Sequence, residues 1–412
     1  MSETADILVI GGGAAGFFSA INIVEKNSKL KVKILERGSE VLTKVKVSGG
    51  GRCNVTHAEF SPKELSQNYP RGEKELLGPF HSFMTGDTIE WFAQRGVALK
   101  IEADGRMFPE TDSSQTIIDC FISETKRLGI EVLKNHSVKR IEKEGNRWNI
   151  TTSEGNFISE KLVVATGSNP KVWKLLENLG HSVVTPVPSL FTFNIEDERI
   201  KNLPGVATEA SVAVLDENGK SILQSEGPLL ITHWGMSGPA ILKLSAWGAR
   251  LLHPTHYHFT IKVNWLTTVS EAEVSDLLKN SKAEHNKKQL AKYPQYNLPK
   301  RLWQSLVAAS GIPETLSWAE LTKIQLQQLA TQLTAGIYVV NGKSTFKEEF
   351  VTAGGVNLKE VNFKTFESKV HKNLYFAGEV LNIDAITGGF NFQNAWTGGF
   401  MVAQAIATTE HL

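Results

Sequence analysis

An α/β fold, built on a parallel sheet and interrupted by a β-rich insert, is predicted from three features of this 412-residue sequence. The first is "ILVIGGGAAGF", where an apolar run ends at Ile10 and runs through Gly11-x-Gly13-x-x-Gly16 into the helix-compatible stretch Ala14 to Lys26. The second is the run "LVVATG", a short β-branched segment bounded by glycine that suits a strand buried on both faces. The third is "NLYFAGEVLNIDAITGGFNFQNAWTGG", which repeats the order strand, glycine turn, helix at the far end of the chain. Between the last two the pattern changes to short alternating strands and then to helices.

The opening turn has a mechanical reading. Its first glycine allows a tight turn, its second lets backbone approach a pyrophosphate, and its third lets a helix lie close to a strand. Val32 to Leu35 reads as the next strand, and Glu36 follows it 20 residues beyond Gly16. That is the spacing of an acid that accepts hydrogen bonds from a ribose. Strand, turn, helix and acid therefore fall in the order of a dinucleotide site.

Each later segment extends this plan. "TKVKVSGGGRCNVTH", Thr43 to His57, sets backbone amides and a guanidinium together, as an anion or a flat polar ring requires. "GDTIEWFAQRG" and "SSQTIIDCFISETKRLG" read as helices and "GIEVL" as a strand. Turns at Glu144-Gly145-Asn146 and Glu154-Gly155-Asn156 predict a three-stranded meander, which hands over to a parallel strand at Lys161–Ala165. Short strands are expected at "ASVAVLD", "SILQSE", "PLLITH" and "HYHFTIKVNW", with an amphipathic helix at "MSGPAILKLSAWGARL". Residues 267–333 read as helical, and strands resume at "GIYVVN" and "FKEEFVTAGGV". The expected organisation is a discontinuous domain, 1–189 with 352–412, a β-rich insert, 190–266 with 334–351, and a helical subdomain, 267–333. A strand at Leu374–Ala377 and a helix from about Asn394 close the chain. Two glycine-rich helix N-termini at opposite ends of a sequence suit a long dinucleotide such as FAD, one cradling pyrophosphate and the other facing the flavin.

Composition narrows the function classes. A charged content of 21% and a hydrophobic content of 41% describe an ordinary globular protein. A formal net charge of +1 argues against a nucleic-acid surface. Cys53 and Cys120 belong to no CxxC pair, so neither a disulfide framework nor a dithiol reductase is expected. "HPTHYH", 253–258, lacks an acid or cysteine to complete a metal site. With no leader or membrane span legible, a cytoplasmic enzyme is expected, compatible with a monomer.

The motifs "VIGGGAAG", "KVSGGGRCNVTH", "LVVATG", "THWGMSGPAILKLS", "VTAGGV" and "YFAGEVLNIDAITGGFNFQNAWTGG" resemble, in order and over essentially the whole chain, the bacterial BaiN/RdsA (YhiN-like) family of NAD(P)/FAD-dependent oxidoreductases. The resemblance implies a glutathione-reductase-type FAD-binding Rossmann-like domain with a barrel-like insert in place of a separate NADPH domain. It implies that Gly11, Gly13, Ala15 and Gly16 face the pyrophosphate and Glu36 the ribose. Lys44, Ser48, Gly50, Arg52, Cys53 and Asn54 would border the pyrophosphate and flavin, and Val138 would contact adenine through its backbone. Gly378, Glu379 and Asp384 would surround the ribityl region, with Gly389, Asn391, Gln393 and Asn394 under the flavin pyrimidine edge. Neighbouring Ala14, Arg37, Gly49, Gly51, Thr166, Gly167 and Gly388 complete the expected cofactor contacts.

The candidates for chemistry are His233, as a proton donor in "THWGMSGP", and Arg52, as a countercharge to an oxygenated substrate; both also admit structural readings. Cys53 reads better as a small residue packed beside a ring than as a redox thiol. The expected activity is hydride transfer between flavin N5 and a small organic molecule. NAD(P)H would be a transient reductant, since no second glycine fingerprint follows Gly16. "LLITHWGMSGPA" and "FVTAGGV" are expected to wall the substrate cavity. Two other classes remain open: a flavoprotein acting on RNA, and a flavin-binding protein without turnover.

Overall fold

A computed structural model describes residues 2–344 and 351–408, which form two compact units: Met1–Val187 with Lys347–Leu412, and Pro188–Phe346. The fold is α/β.

In the first unit, Val32–Leu35, Glu3–Ile10, Asn156–Val164 and Leu374–Phe376 run parallel and side by side, with Glu131–Leu133 beyond the first of them. Their register matters more than their number. Ile10 sits opposite both Leu35 and Val164, and Val164 opposite Phe376. Four strands thus end in one row, and each is followed at once by a predicted site segment: Gly11, Glu36, Thr166-Gly167 and Gly378-Glu379. The carboxyl edge of such a sheet is where ligands bind in open α/β folds.

The first strand starts at Glu3, earlier than the apolar run alone indicates. Val138–Glu144 and Arg147–Thr152 form the meander, but its third strand and the expected parallel strand are one element, Asn156–Val164. This strand alternates while it is half exposed and becomes continuously apolar at Leu162, where it is covered on both faces. The first helix, Ala14–Lys26, packs along the last, Phe390–Thr408. Phe18 of the first helix, and Phe121 of Ser114–Arg127, meet Trp396 at ring-centroid distances of 5.3 and 5.6 Å, and burying such rings stabilises the packing. The last helix begins at Phe390, four residues before the expected start.

The second unit contains a seven-stranded antiparallel sheet whose terminal members, Gly336–Asn341 and Lys343–Ser344, are separated only by Gly342. The sheet therefore closes on itself as a barrel. "SILQSE" and "PLLITH" form one strand, Ser221–Thr232, because Ala207–Leu215 pairs along most of its length. Three helices, Glu271–Glu284, Lys300–Ala309 and Lys323–Thr334, enclose buried Trp265, Trp303, Trp318 and Leu302. Ser270 with Glu273, and Thr322 with Gln325, cap the first and third reciprocally. Part of "FKEEFVTAGGV" lies outside the described residues; Val351–Val356 is a buried strand of the first unit.

Candidate functional site

At the N-terminal turn the three glycines divide the work. A Cβ on Gly16 would lie 1.9 Å from the Gly11 carbonyl oxygen, and one on Gly11 2.3 Å from the Ala165 carbonyl. These positions are closed by backbone. A Cβ on Gly13 would meet nothing within 4 Å, and the same holds at Gly50 and Gly51. Backbone is therefore bare toward open space at two turns, the form of a cradle for a phosphate-bearing ligand. Ala14 and Ala15 begin the helix at this turn.

Glu36 holds the turn as well as ending its strand. Its Oε2 accepts the Gly12 N–H and its Oε1 the Gly38 N–H, both at 2.8 Å. Each oxygen keeps lone-pair capacity for a ribose hydroxyl. Arg37 is exposed beside it, and Val138 begins the meander, opposite Thr152.

A second group gathers at the other strand ends. Lys44 Nζ pairs with Glu379 Oε2 at 2.6 Å, and the same oxygen lies 3.8 Å from where a Gly167 Cβ would stand. A Gly378 Cβ would stand 3.0 Å from Ala15 Cβ. Lys44 and Gly167 thus gather on Glu379, while Gly378 lies against the start of the first helix.

The third group joins "SGGGRCN" to "TGGF". The segment Thr43–Gly51 is helical at first and breaks at Ser48, whose ψ is 147°, with Gly49 and Gly50 in the left-handed region. With its amide oriented as its neighbours require, Asn54 accepts the Gly389 N–H at 3.0 Å and donates to the Thr56 carbonyl at 3.1 Å. A Cβ on Gly389 would meet the Thr56 carbonyl oxygen at 2.5 Å, so only glycine lets these two strands of chain touch. Gly388 accepts from His57 Nδ1 at 3.0 Å.

Several predicted contact residues are occupied by the protein itself. Asn391 accepts the Ala385 N–H at 3.0 Å and donates to the Ala385 carbonyl at 3.3 Å. Gln393 is buried, accepts from Thr56 and Thr88 at 2.6 and 2.9 Å, and donates to Thr397 at 3.1 Å. Asp384 is fully buried and takes a bidentate hydrogen-bonded ion pair from Arg71, with Nε at 2.6 Å from Oδ1. Asn394 differs from these. Its side-chain oxygen and nitrogen are both buried and have no hydrogen-bond partner among the described residues.

Arg52 also changes meaning. Its guanidinium pairs with Glu102 at 2.6 Å and Asp112 at 3.4 Å and lies over the Phe108 ring at 3.9 Å. Each carboxylate is shared with a second cation, Glu102 with Arg106 at 3.2 Å and Asp112 with Lys100, so Arg52 belongs to a charged network. Hydrogen bonding to Glu102 holds its own pKa above the usual value. Cys53 is fully buried at φ 61°, and burial pushes its thiol up to about 12. It is a packed thiol, not a thiolate.

His233 lies in the second unit, exposed with Trp234 in a two-residue turn between Ser221–Thr232 and Gly235–Ser237, and not at a helix start. It borders a shallow groove of about 550 Å³ with Pro204, Gly205, Leu230 and Arg301. Among the described residues, no group of three or more His, Cys, Asp or Glu is placed to hold a metal ion, and no helix is long and apolar enough to cross a membrane.

A family profile described as "HI0933-like protein Rossmann domain" matches residues 5–405. The chain belongs to this family. Within reach of it, a ribosomal RNA dihydrouridine synthase of Escherichia coli is 30% identical over 98% of each chain. A 3-dehydro-bile acid delta(4,6)-reductase of Clostridium scindens is 26% identical over 97% of this chain and 98% of its own. Among solved structures, 3-ketosteroid delta1-dehydrogenase from Sterolibacterium denitrificans superposes with a TM-score of 0.53 at 11% identity, covering 99% of this chain and 100% of the other. That likeness is one of fold.

Arg71, His57, Thr56, Tyr69 and Thr88 were not among the candidate residues. His57 and Thr56 sit inside a motif already singled out, so adjacency was their signal. Arg71 had none: its carboxylate partner lies 313 residues away.

Proposed function

We propose that this chain is an FAD-dependent oxidoreductase that saturates a carbon–carbon double bond conjugated to a carbonyl. The observation that carries the cofactor is the bare backbone at Gly13, set at the end of the first of four aligned strands beside an acid at the ribose spacing, with bare backbone again at Gly50 and Gly51 in the Thr43–Gly51 segment. FAD would be held by the Gly11–Gly16 turn and Glu36 on its adenosine side, and by the Gly49–Asn54 and Gly388–Asn394 segments on its flavin side. When bound, FAD would supply the hydride chemistry that saturating such a bond requires.

The relatives' names support the bond type. A dihydrouridine is a uracil ring saturated next to a carbonyl, and a 3-dehydro delta(4,6) steroid is a conjugated enone. Adding a hydride and a proton across one double bond makes the first from uridine, and would reduce the second at one of its two double bonds. His233 is the proposed donor of that proton to the α carbon, since it is an exposed imidazole on the family's "THWGMSGP" turn. The carrier of the reacting ring is read as a small molecule, in keeping with the formal net charge of +1. The RNA reading is the alternative, favoured by the E. coli relative's name.

The test begins with reconstitution. Denaturation should release FAD and no FMN; absence of any flavin would end this reading. Stopped-flow absorbance then follows flavin reduction by NADH and NADPH, which should be slow without a second nucleotide-binding fingerprint to hold them. Reduced protein offered a steroid enone, free uridine and ribosomal RNA separately should reoxidise fastest with the enone. Reoxidation by RNA alone would replace the small-molecule reading with the alternative.

A further inference from the structure

Four consecutive residues, Asn54 to His57, each grip the start of the last helix. Asn54 accepts from Gly389 N–H, and the Val55 carbonyl accepts the Trp396 indole N–H at 2.8 Å. Thr56 Oγ1 donates to Gln393 at 2.6 Å, and His57 Nδ1 donates to the Gly388 carbonyl at 3.0 Å. A carbonyl only accepts, so His57 carries its proton on Nδ1. Its ring also stacks on Phe390 with centroids 4.5 Å apart. Tyr69 adds a hydrogen bond to the Phe390 carbonyl at 2.6 Å.

This is more fixation than holding a helix in place requires. The aromatic packing around Trp396 and Phe18 already seats the helix on its neighbours. Most of the hydrogen bonds fall instead on Gly388, Gly389, Phe390 and Gln393, which flank and form the first turn of that helix. The field of a helix is felt within that first turn and falls away beyond it, so a small change in its aim changes the potential at a ligand there. Contacts from four successive positions, three through side chains and one through the Val55 carbonyl, fix both rotation about the helix axis and advance along it.

We propose that Thr56 and His57 are positioning residues that aim the first turn of the last helix at the flavin ring, and so set how readily bound FAD is reduced. This rests on the FAD reading above. Neither residue is assigned a contact with the ring; each acts through Gln393 or Gly388.

The test uses full-length protein loaded with FAD, in the variants H57A, H57N and T56V. Asparagine places an amide N–H close to the Nδ1 position, and valine keeps the shape of threonine while removing its donor; Gln393 keeps Thr88 as a partner at 2.9 Å. Each protein is equilibrated with a redox dye at one fixed potential, and the ratio of oxidised to reduced FAD is read from absorbance. H57A and T56V should change that ratio at least threefold, and H57N should return it to the wild-type value. An unchanged ratio in T56V and H57A, with only a lower melting temperature, overturns the proposal and leaves the FAD reading standing. If H57A does not fold, T56V decides alone. Failure of wild-type protein to take up FAD overturns both.

Discussion

The two glycine turns do similar work by opposite means. The Gly11–Gly16 turn is held mostly by its own neighbourhood: Leu35 accepts the Gly11 N–H at 2.8 Å, and Glu36 accepts that of Gly12. The Gly388–Gly389 turn is held by side chains more than 300 residues earlier in the chain: Asn54, His57 and Tyr69, with Arg71 fixing the loop before it. The first turn is thus a local structure whose spacing is its specification. The second exists only once the chain has folded, and depends on buried polar pairs that are costly to break.

The largest expected effect breaks the second turn. Arg71→Met leaves Asp384 as a buried carboxylate without its bidentate cation, and removing one partner of a buried pair costs about 3–5 kcal/mol. Urea unfolding should show that loss in the first unit. A loss below 1 kcal/mol would mean that Asp384 is satisfied by its other contacts and that the second turn is less dependent on distant partners than argued.

Next in size is Gly16→Ala. The added methyl would stand 1.9 Å from the Gly11 carbonyl oxygen, so the helix must retreat from the strand. Overpacking of this kind costs about 1–3 kcal/mol. Gly13→Ala sharpens the comparison, because its Cβ enters open space and its φ of −98° suits alanine. Stability should stay within about 0.5 kcal/mol of wild type, while FAD retention after gel filtration falls. If Gly13→Ala keeps FAD fully, the open space at Gly13 is not the pyrophosphate cradle.

This difference also explains what was legible in the sequence. The first strand, turn and helix were readable because period, glycine spacing and Glu36 all lie within 36 residues. The meander was readable from its turns, yet its last strand was divided in two, since a change from alternating to continuous apolar pattern looks like an element boundary. In the same way Ser221–Thr232 was read as two strands, because Gly227-Pro228 reads as a break when its partner strand is unknown. At the far end most of the predicted polar residues prove to be hydrogen-bonded within the protein. Asn391, Gln393 and Asp384 are the polar types a ligand would select, and equally the types that buried backbone and side chains select. Only tertiary contacts separate the two, and they leave Asn394 as the amide without a partner in that stretch among the described residues.

The smallest expected effect is none. Cys53 lies between the Gly49–Gly51 cradle and the Asn54 grip on Gly389, so a reactive thiol there would give the loop a chemical role beyond holding a ligand. Thiolate, not thiol, is the form that alkylates. Burial raises the Cys53 pKa to about 12, and the same cause raises Cys120 to about 12, so at pH 8 both are protonated in the folded protein. The sign is clear: deprotonation demands a pH several units higher than for an ordinary thiol, or exposure by unfolding. Folded protein treated with iodoacetamide at pH 8 should therefore gain no mass at either cysteine over an hour, and in denaturant should gain two adducts. Selective labelling of Cys53 in the folded protein would reverse the argument, making the loop after Thr43 a redox element and not a clamp built of backbone and hydrogen bonds.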